Sequence, residues 1–260
     1  MISKAKASLL IEYAKTYNIK EFIETDPIRF PHQYSKKQDI EISSFISSWL
    51  AYGNRKAILQ TLNLIHQDIN LNFSNSPFEY IKQRGFEKYK NNNQSLYRFY
   101  KHNDFYNLCN TLHKIYIQEN NNSLEEKIEK ELKQKNIEQD NINSNPCLEV
   151  IEIIIEIFKD VAGIPINTKS ACKRLCMLLR WLVRNDNIVD LGIWTILHPQ
   201  DLIIPLDTHV HKQALLLNLI KSKQANMQTA LEITAKLKEV FPEDPTLSDF
   251  SLFGYGVNNK

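Results

Sequence analysis

Apolar and polar positions along this chain recur mostly with the period of an α-helix. Ile42, Phe45, Ile46, Trp49 and Leu50 fall at i, i+3, i+4, i+7 and i+8, which predicts an amphipathic helix. Leu96, Phe99, Tyr100, Leu108, Leu112, Ile115 and Tyr116 predict a second. Residues 148–158 are apolar on most sides and read as a central helix. Residues 230–241 read as a further helix, closed by Pro242 and Pro245. Residues 119–146 are rich in Asn, Gln, Glu and Lys and read as a polar connector. It holds one short exposed helix over 123–133, with Ser123 as cap and Glu126 completing a capping box. No segment shows strand alternation and no internal repeat stands out. The expected class is all-α.

Composition narrows this picture a little. A chain of 260 residues with 43% apolar and 24% charged positions has the make-up of a soluble globular protein of one large domain or two lobes. Six glycines are too few for a turn-rich β protein or a glycine-rich nucleotide fold. No stretch approaches the roughly 18 uninterrupted apolar residues of a membrane span. The first residues, Met1-Ile2-Ser3-Lys4-Ala5-Lys6, do not read as a signal peptide. Cys109, Cys147, Cys172 and Cys176 are spaced as buried free thiols, which points to a reducing cytoplasm. A net charge of +2 does not by itself specify a nucleic-acid partner, so any such binding rests on clustered charge.

Charge does cluster in one place. If 169–184 is one helix at about 100° per residue, Cys172, Leu175, Leu178, Leu179, Leu182 and Val183 share one side. Lys169, Lys173, Arg180 and Arg184 then form a stripe opposite them without an acid. Like charges at this spacing repel. A surface that meets phosphates is one reading of the stripe, and a plain solvated face is the other. A lysine acting as nucleophile must lose its proton near neutral pH, and neighbouring cations and partial burial favour that. Lys173 is therefore a candidate.

The second cluster is Pro205-Leu206-Asp207-Thr208-His209-Val210. Asp207 sits where a helix begins and is expected to cap it. A capping carboxylate has a fixed position, which suits it to face positive charge developing on a sugar. His209 and His211 point roughly 200° apart on such a helix, so they do not make a metal site, and none is expected. Lys212 is either a phosphate contact or a surface lysine.

The segment from Pro205 to Lys212 resembles the Val-Asp-Thr-His-hydrophobic stretch of the endonuclease III and MutY-like helix-hairpin-helix DNA glycosylases, with Asp207 at their catalytic aspartate. Leu237-Lys238-Glu239-Val240-Phe241-Pro242 continues the likeness. A lysine-rich helix followed after a long insertion by Pro-(Ile/Val)-Pro-Val-Asp is similar to the archaeal 8-oxoguanine glycosylases; here Asp207 follows Lys173 by 34 residues. The whole chain resembles a bacterial family of uncharacterised proteins more closely still. The shared stretches are 26–32, 51–56, 170–175, 180–184 and 249–253. Departures from the glycosylases are plain. Gly163-Ile164-Pro165-Ile166-Asn167-Thr168-Lys169 lacks both hairpin glycines at their usual places, and the iron–sulfur cysteines are missing. No cofactor is implied.

The resemblance implies a two-lobed helical fold with a glycosylase-like hairpin. A middle lobe would run over 38–198 and a second would join 1–37 to 199–260, with the active site in a cleft between them. It implies a base-excision glycosylase with lyase activity on damaged, double-stranded DNA. The catalytic lysine would be Lys173, or Lys169, and Asp207 would assist it. Asn54, Arg55, Lys56, Arg180, Arg184, His209 and Lys212 would contact DNA; the 51–56 segment either enters the gap left by the extruded base or is a plain helix–helix turn. Trp49, Tyr52, Trp181, Trp194, Phe253 and Tyr255 are candidate stacking groups, with a place in the core as the commoner alternative for each. The rival readings are a nucleic-acid-binding protein that has lost the chemistry, and a helical protein-interaction module. Oligomeric state is not legible in the sequence.

Overall fold

The computed structural model describes residues 1–138 and 145–258, without the side chains of 136–138. The protein is predominantly helical, as the periodicity predicts. In chain order the α-helices are α1 (Lys4–Tyr17), α2 (Glu21–Glu24), α3 (Lys37–Leu50), α4 (Arg55–Asn72), α5 (Pro77–Lys82), α6 (His102–His113), α7 (Leu124–Glu138), α8 (Pro146–Ile157), α9 (Lys173–Val183), α10 (Thr208–Leu216), α11 (Met227–Leu237) and α12 (Ser248–Asn258). Among the described residues no helix is long and apolar enough to cross a membrane. Contacts divide the chain into two units. One comprises Met1–Glu24, Ser144–Ile151 and Asn167–Lys260, and the other Thr25–Asn143 and Glu152–Ile166.

In the unit of Thr25–Asn143 and Glu152–Ile166, α3 is the core. Ile42, Phe45, Ile46, Trp49 and Leu50 are at most 2% exposed. The remaining positions from Asp39 to Leu50 are buried too, so this helix is enclosed rather than amphipathic. Serines at 43, 44, 47 and 48 allow close packing where larger side chains would not fit. Phe45 stacks on Phe158 at 4.2 Å and Trp49 on Tyr100 at 4.2 Å. The buried Glu41 carboxylate accepts the Leu124 amide at 2.9 Å and the Tyr116 hydroxyl at 2.7 Å. It thereby serves the N-terminus of α7, where free amides favour an anion.

Two sequence expectations change here. Leu96 to Tyr116 is not one helix. Ser95–Tyr97 (β1) and Tyr100–Lys101 (β2) pair as a small antiparallel hairpin before α6 begins. Tyr97 and Tyr100 are buried while Phe99 is exposed, so the apolar spacing that suggested a helix has two origins. The connector helix is present but longer than expected and not wholly exposed, because Leu124 and Ile128 are fully buried. Ser123 accepts the Glu126 amide as expected, while the Glu126 side chain reaches the Asn122 amide instead of that of Ser123. The stretch 139–144 of the connector lies outside the described residues.

In the other unit α9 is enclosed from Leu175 to Val183. Each fully buried Leu on it contributes about 1.5–3 kcal/mol. α1 and α12 pack together through Tyr17 and Phe253, ring centroids 5.5 Å apart, and through the Ser251 hydroxyl donated to the Leu10 carbonyl at 2.7 Å. A Cβ on Gly254 would lie 2.3 Å from the Tyr17 ring, so glycine permits this approach. α11 starts at Met227 and ends at Leu237, several residues short of the expected proline stop.

Candidate functional site

The lysine helix begins four residues later than its charge pattern suggested. Ser170 bridges to Asn226, and the Lys169 carbonyl accepts the Met227 amide at 3.4 Å. Cys172 then turns the chain with φ 45°, and Lys173 is the first helical residue. Lys169 therefore lies outside α9, exposed, and does not share a helical face with Lys173. Sequence periodicity could not detect this, because tertiary pairing to Asn226 overrides a permissive helical pattern.

Asp207 stands where the sequence placed it, at the N-cap of α10. Its Oδ1 accepts the amides of His209 and Val210, both at 2.9 Å. The approach is fixed as well: residues 202–206 are buried and the Ile204 amide donates to Thr234 Oγ1 at 3.1 Å. At the far end of α10, Lys6 Nζ donates to the Leu217 carbonyl at 2.8 Å. The second carboxylate oxygen, Oδ2, is 4.0 Å from Lys173 Nζ. Both side chains are about one-third exposed, at 31% and 36%. The acid is thus divided between two tasks: one oxygen holds the helix start and the other meets the amine.

Arg180 and Arg184 correct the expectation of an open cation stripe. Their side chains are only 4% and 3% exposed. Arg180 pairs with Asp190 at 3.3 Å and with Asp249. Arg184 pairs with Asp190 at 2.8 Å, Asp186 at 2.6 Å and Asp244 at 2.5 Å. Both guanidinium groups also lie over the Phe250 ring, at 4.8 and 5.6 Å. A buried cation needs a partner, and four aspartates from outside α9 supply it. These arginines cannot meet phosphates without breaking this network.

Those aspartates are what the reading of the sequence missed. The available signal was the pair of arginines four apart on a helix otherwise apolar on most sides. Asp249, in the first turn of α12, links the network to the pair above, because it feels the charges of both Asp207 and Lys173. Burial lifts its carboxyl to about 6; the Asp207 charge adds to the rise, and Arg180 and Lys173 oppose it.

The other candidates divide by exposure. His209 and Lys212 are exposed on α10, whereas His211 Nε2 hydrogen-bonds the Ser222 carbonyl at 2.9 Å. Among the described residues no group of three or more His, Cys, Asp or Glu is arranged to hold a metal ion. Asn54 caps α4, and Arg55 and Lys56 are exposed beside it. These three belong to the unit of α3, while Lys173 and Asp207 belong to that of α9. Trp49, Trp181 and Trp194 are buried and unavailable for stacking, whereas Phe253 is 38% exposed and Tyr52 and Tyr255 are half-buried.

The site therefore offers an amine facing a fixed carboxylate at a partly open surface, backed by a buried arginine–aspartate network. A family model described as "Protein of unknown function (DUF2400)" matches residues 26–258. No curated protein and no solved structure matches the chain.

Proposed function

The chain belongs to this family; from the geometry of its site we propose that it is a DNA base-excision glycosylase with lyase activity on a damaged base, an oxidised purine among the candidates. The observation that carries the reading is the 4.0 Å approach of Lys173 Nζ to Asp207 Oδ2. The two-lobed glycosylase-like fold is part of the same proposal, and the helical class supports it.

The damaged nucleotide is extruded from the duplex so that its sugar carbon reaches the amine. Asp207 Oδ2 takes a proton from Lys173 Nζ, and the freed lone pair forms a bond to C1′. The bond from C1′ to the base breaks, and its electron pair leaves with the base, which takes up a proton. The nitrogen gives one proton to the departing base, the C1′–O4′ bond breaks with its electron pair going to O4′, which takes the proton held by Asp207, and a protonated imine is left between Lys173 and C1′. Loss of a C2′ proton then expels the 3′ phosphate with the electrons of the C3′–O bond, and water releases the lysine. Asp207 is suited to the charge changes because the two α10 amides hold it in place. Lys169 is the weaker candidate for the nucleophile, because it stands outside α9. DNA contacts are assigned to Asn54, Arg55, Lys56, His209 and Lys212, all exposed; Arg180 and Arg184 are withdrawn from that role.

Borohydride reduces the imine to a stable protein–DNA adduct. An oligonucleotide with an abasic site or an oxidised purine is expected to be trapped by the protein. Lys173→Gln should lower trapping at least a hundredfold, Asp207→Asn about as much, and Lys169→Gln little. Trapping undiminished by Lys173→Gln would refute the assignment. The second reading, nucleic-acid binding without cutting, is favoured by the exposed basic start of α4, which does not depend on Lys173 and Asp207. It predicts salt-dependent binding with no adduct.

A further inference from the structure

The hairpin that replaced part of an expected helix carries a feature that packing does not account for. β1 and β2 pair through Tyr97 and Tyr100, which leaves a two-residue loop, Arg98 and Phe99. Phe99 is 83% exposed. Arg98 is exposed and takes φ 51°, a region where such loops favour glycine, asparagine or aspartate. The turn thus carries a large cation at the position where glycine would serve the backbone better, and an exposed aromatic ring beside it.

The base below this tip is firmly built. Tyr97 and Tyr100 are 5% and 6% exposed. Tyr100 stacks on Trp49, and the Tyr97 hydroxyl donates to the Tyr52 carbonyl at 2.5 Å. The Arg98 guanidinium lies over the rings of Tyr52 and Phe99, at 5.5 and 5.7 Å. Gly53, at φ 91°, leaves room for it, since a Cβ there would sit 2.4 Å from Arg98 Nη1. One residue further on, Asn54 caps α4, and the exposed Arg55 and Lys56 follow. Arg55 has a 3.7 Å ion pair with Asp26 and is still 46% exposed. An exposed ring on a rigid stalk, with cations on the tip and beside it, matches the two faces of a nucleic-acid strand, flat bases and anionic phosphates.

We propose that the Arg98–Phe99 tip is a stacking site for an unpaired base, with Arg98, Arg55 and Lys56 facing the phosphates of the strand that carries it. The partner is single-stranded or locally unpaired nucleic acid rather than an intact helix. Every base offers a π-face, so such stacking tolerates any sequence. Arginine adds its own attraction to the aromatic faces. The inference rests on the reading of the chain as a nucleic-acid protein, but it does not need the Lys173 chemistry.

The test is fluorescence anisotropy with the full chain, on a labelled thymidine dodecamer and on a blunt duplex of equal length, at several salt concentrations. The wild type should prefer the single strand. Phe99→Ala should weaken that binding about tenfold without changing its salt dependence, and Phe99→Trp should restore it. Arg98→Ala should weaken binding and lower the salt slope by about one. Equal binding by the wild type and Phe99→Ala, a preference for the blunt duplex, or no binding by the wild type would each overturn the proposal. Borohydride trapping run in parallel separates the two ideas. An adduct that forms while Phe99→Ala binds normally sinks the stacking site alone. Loss of binding in Phe99→Ala with no adduct from any protein sinks the lyase reading alone.

Discussion

At the scale of one residue, burial and hydrogen bonding together settle the state of His66. Its Nδ1 is 3.0 Å from the Leu62 carbonyl, which can only accept, so Nδ1 carries the hydrogen. In the neutral ring Nε2 is then an acceptor, and the Ser43 hydroxyl donates to it at 2.8 Å. Complete burial pushes the ring down to about 4, against the opposing pull of the Leu62 carbonyl. The unfolded chain therefore binds a proton between pH 6.5 and 4 that the folded chain refuses. The sign follows: this contribution is intact above pH 6.5 and is lost as pH falls towards 4, by on the order of 3 kcal/mol. Urea unfolding at pH 7 and at pH 4.5 checks it. His66→Leu should be less stable than the wild type at pH 7 and should lose less stability on acidification. A ring that titrates near 6.5 by NMR would contradict the assignment. Asp207 illustrates the same scale from the other side. Its capping role is legible in the sequence, because a carboxylate after an apolar approach at a helix start is a local pattern. Its second oxygen's partner lies 34 residues away and follows from no local pattern; the family resemblance, not spacing, pointed to Lys173.

At the scale of the element, α9 shows what periodicity can and cannot predict. The apolar positions of 175–183 were legible, since burial on a helix repeats with its own geometry. The start was misplaced, since pairing between Ser170 and Asn226 and the left-handed Cys172 are tertiary choices. The charge stripe misled for a related reason. A cation with no acid on its own helix looks solvent-bound, yet its acids come from Asp186 and Asp190 beyond the helix end, from Asp244 ahead of α12 and from Asp249 in its first turn. Removing one arginine leaves Asp190, itself fully buried, with half its compensation. Arg184→Ala should therefore lower stability by about 3–5 kcal/mol, read as a drop in the urea midpoint. Salt dependence of DNA binding should be unchanged in any fraction that remains folded. A variant as stable as the wild type, or one that loses a unit of salt slope, would return Arg184 to the DNA-facing surface.

At the scale of the whole molecule, the helical class follows from the chain's own pattern, and the division into two units does not. One unit is assembled from three separated segments and the other from two. α8 contributes to both, with its residues up to Ile151 in one and those from Glu152 in the other. The four thiols offer a probe of each unit. Cys109 belongs to one unit, and Cys147, Cys172 and Cys176 to the other. Cys109, Cys147 and Cys176 are fully buried, and burial raises all three thiols, that of Cys147 to about 12. Each should resist a disulfide reagent such as DTNB in the native protein at pH 8 and react once guanidinium unfolds the unit that holds it. Fast native labelling of any of the three, mapped by mass spectrometry, would contradict the burial of that thiol.

Local order was in large part decided by the sequence alone: that helices dominate, that 175–183 carries the apolar positions of a buried helix, that Asp207 caps a helix, and that Lys173 lies near the start of another. Each depends on residues a few positions apart, whose relation is set by the backbone's own period. The tertiary structure alone decided which charges are spent inside and which remain outside. It sealed Arg180 and Arg184 behind aspartates, parted Lys169 from Lys173, and lifted Arg98 and Phe99 onto a hairpin. Desolvation and ion pairing depend on groups brought together in space, and a one-dimensional pattern carries no record of that neighbourhood.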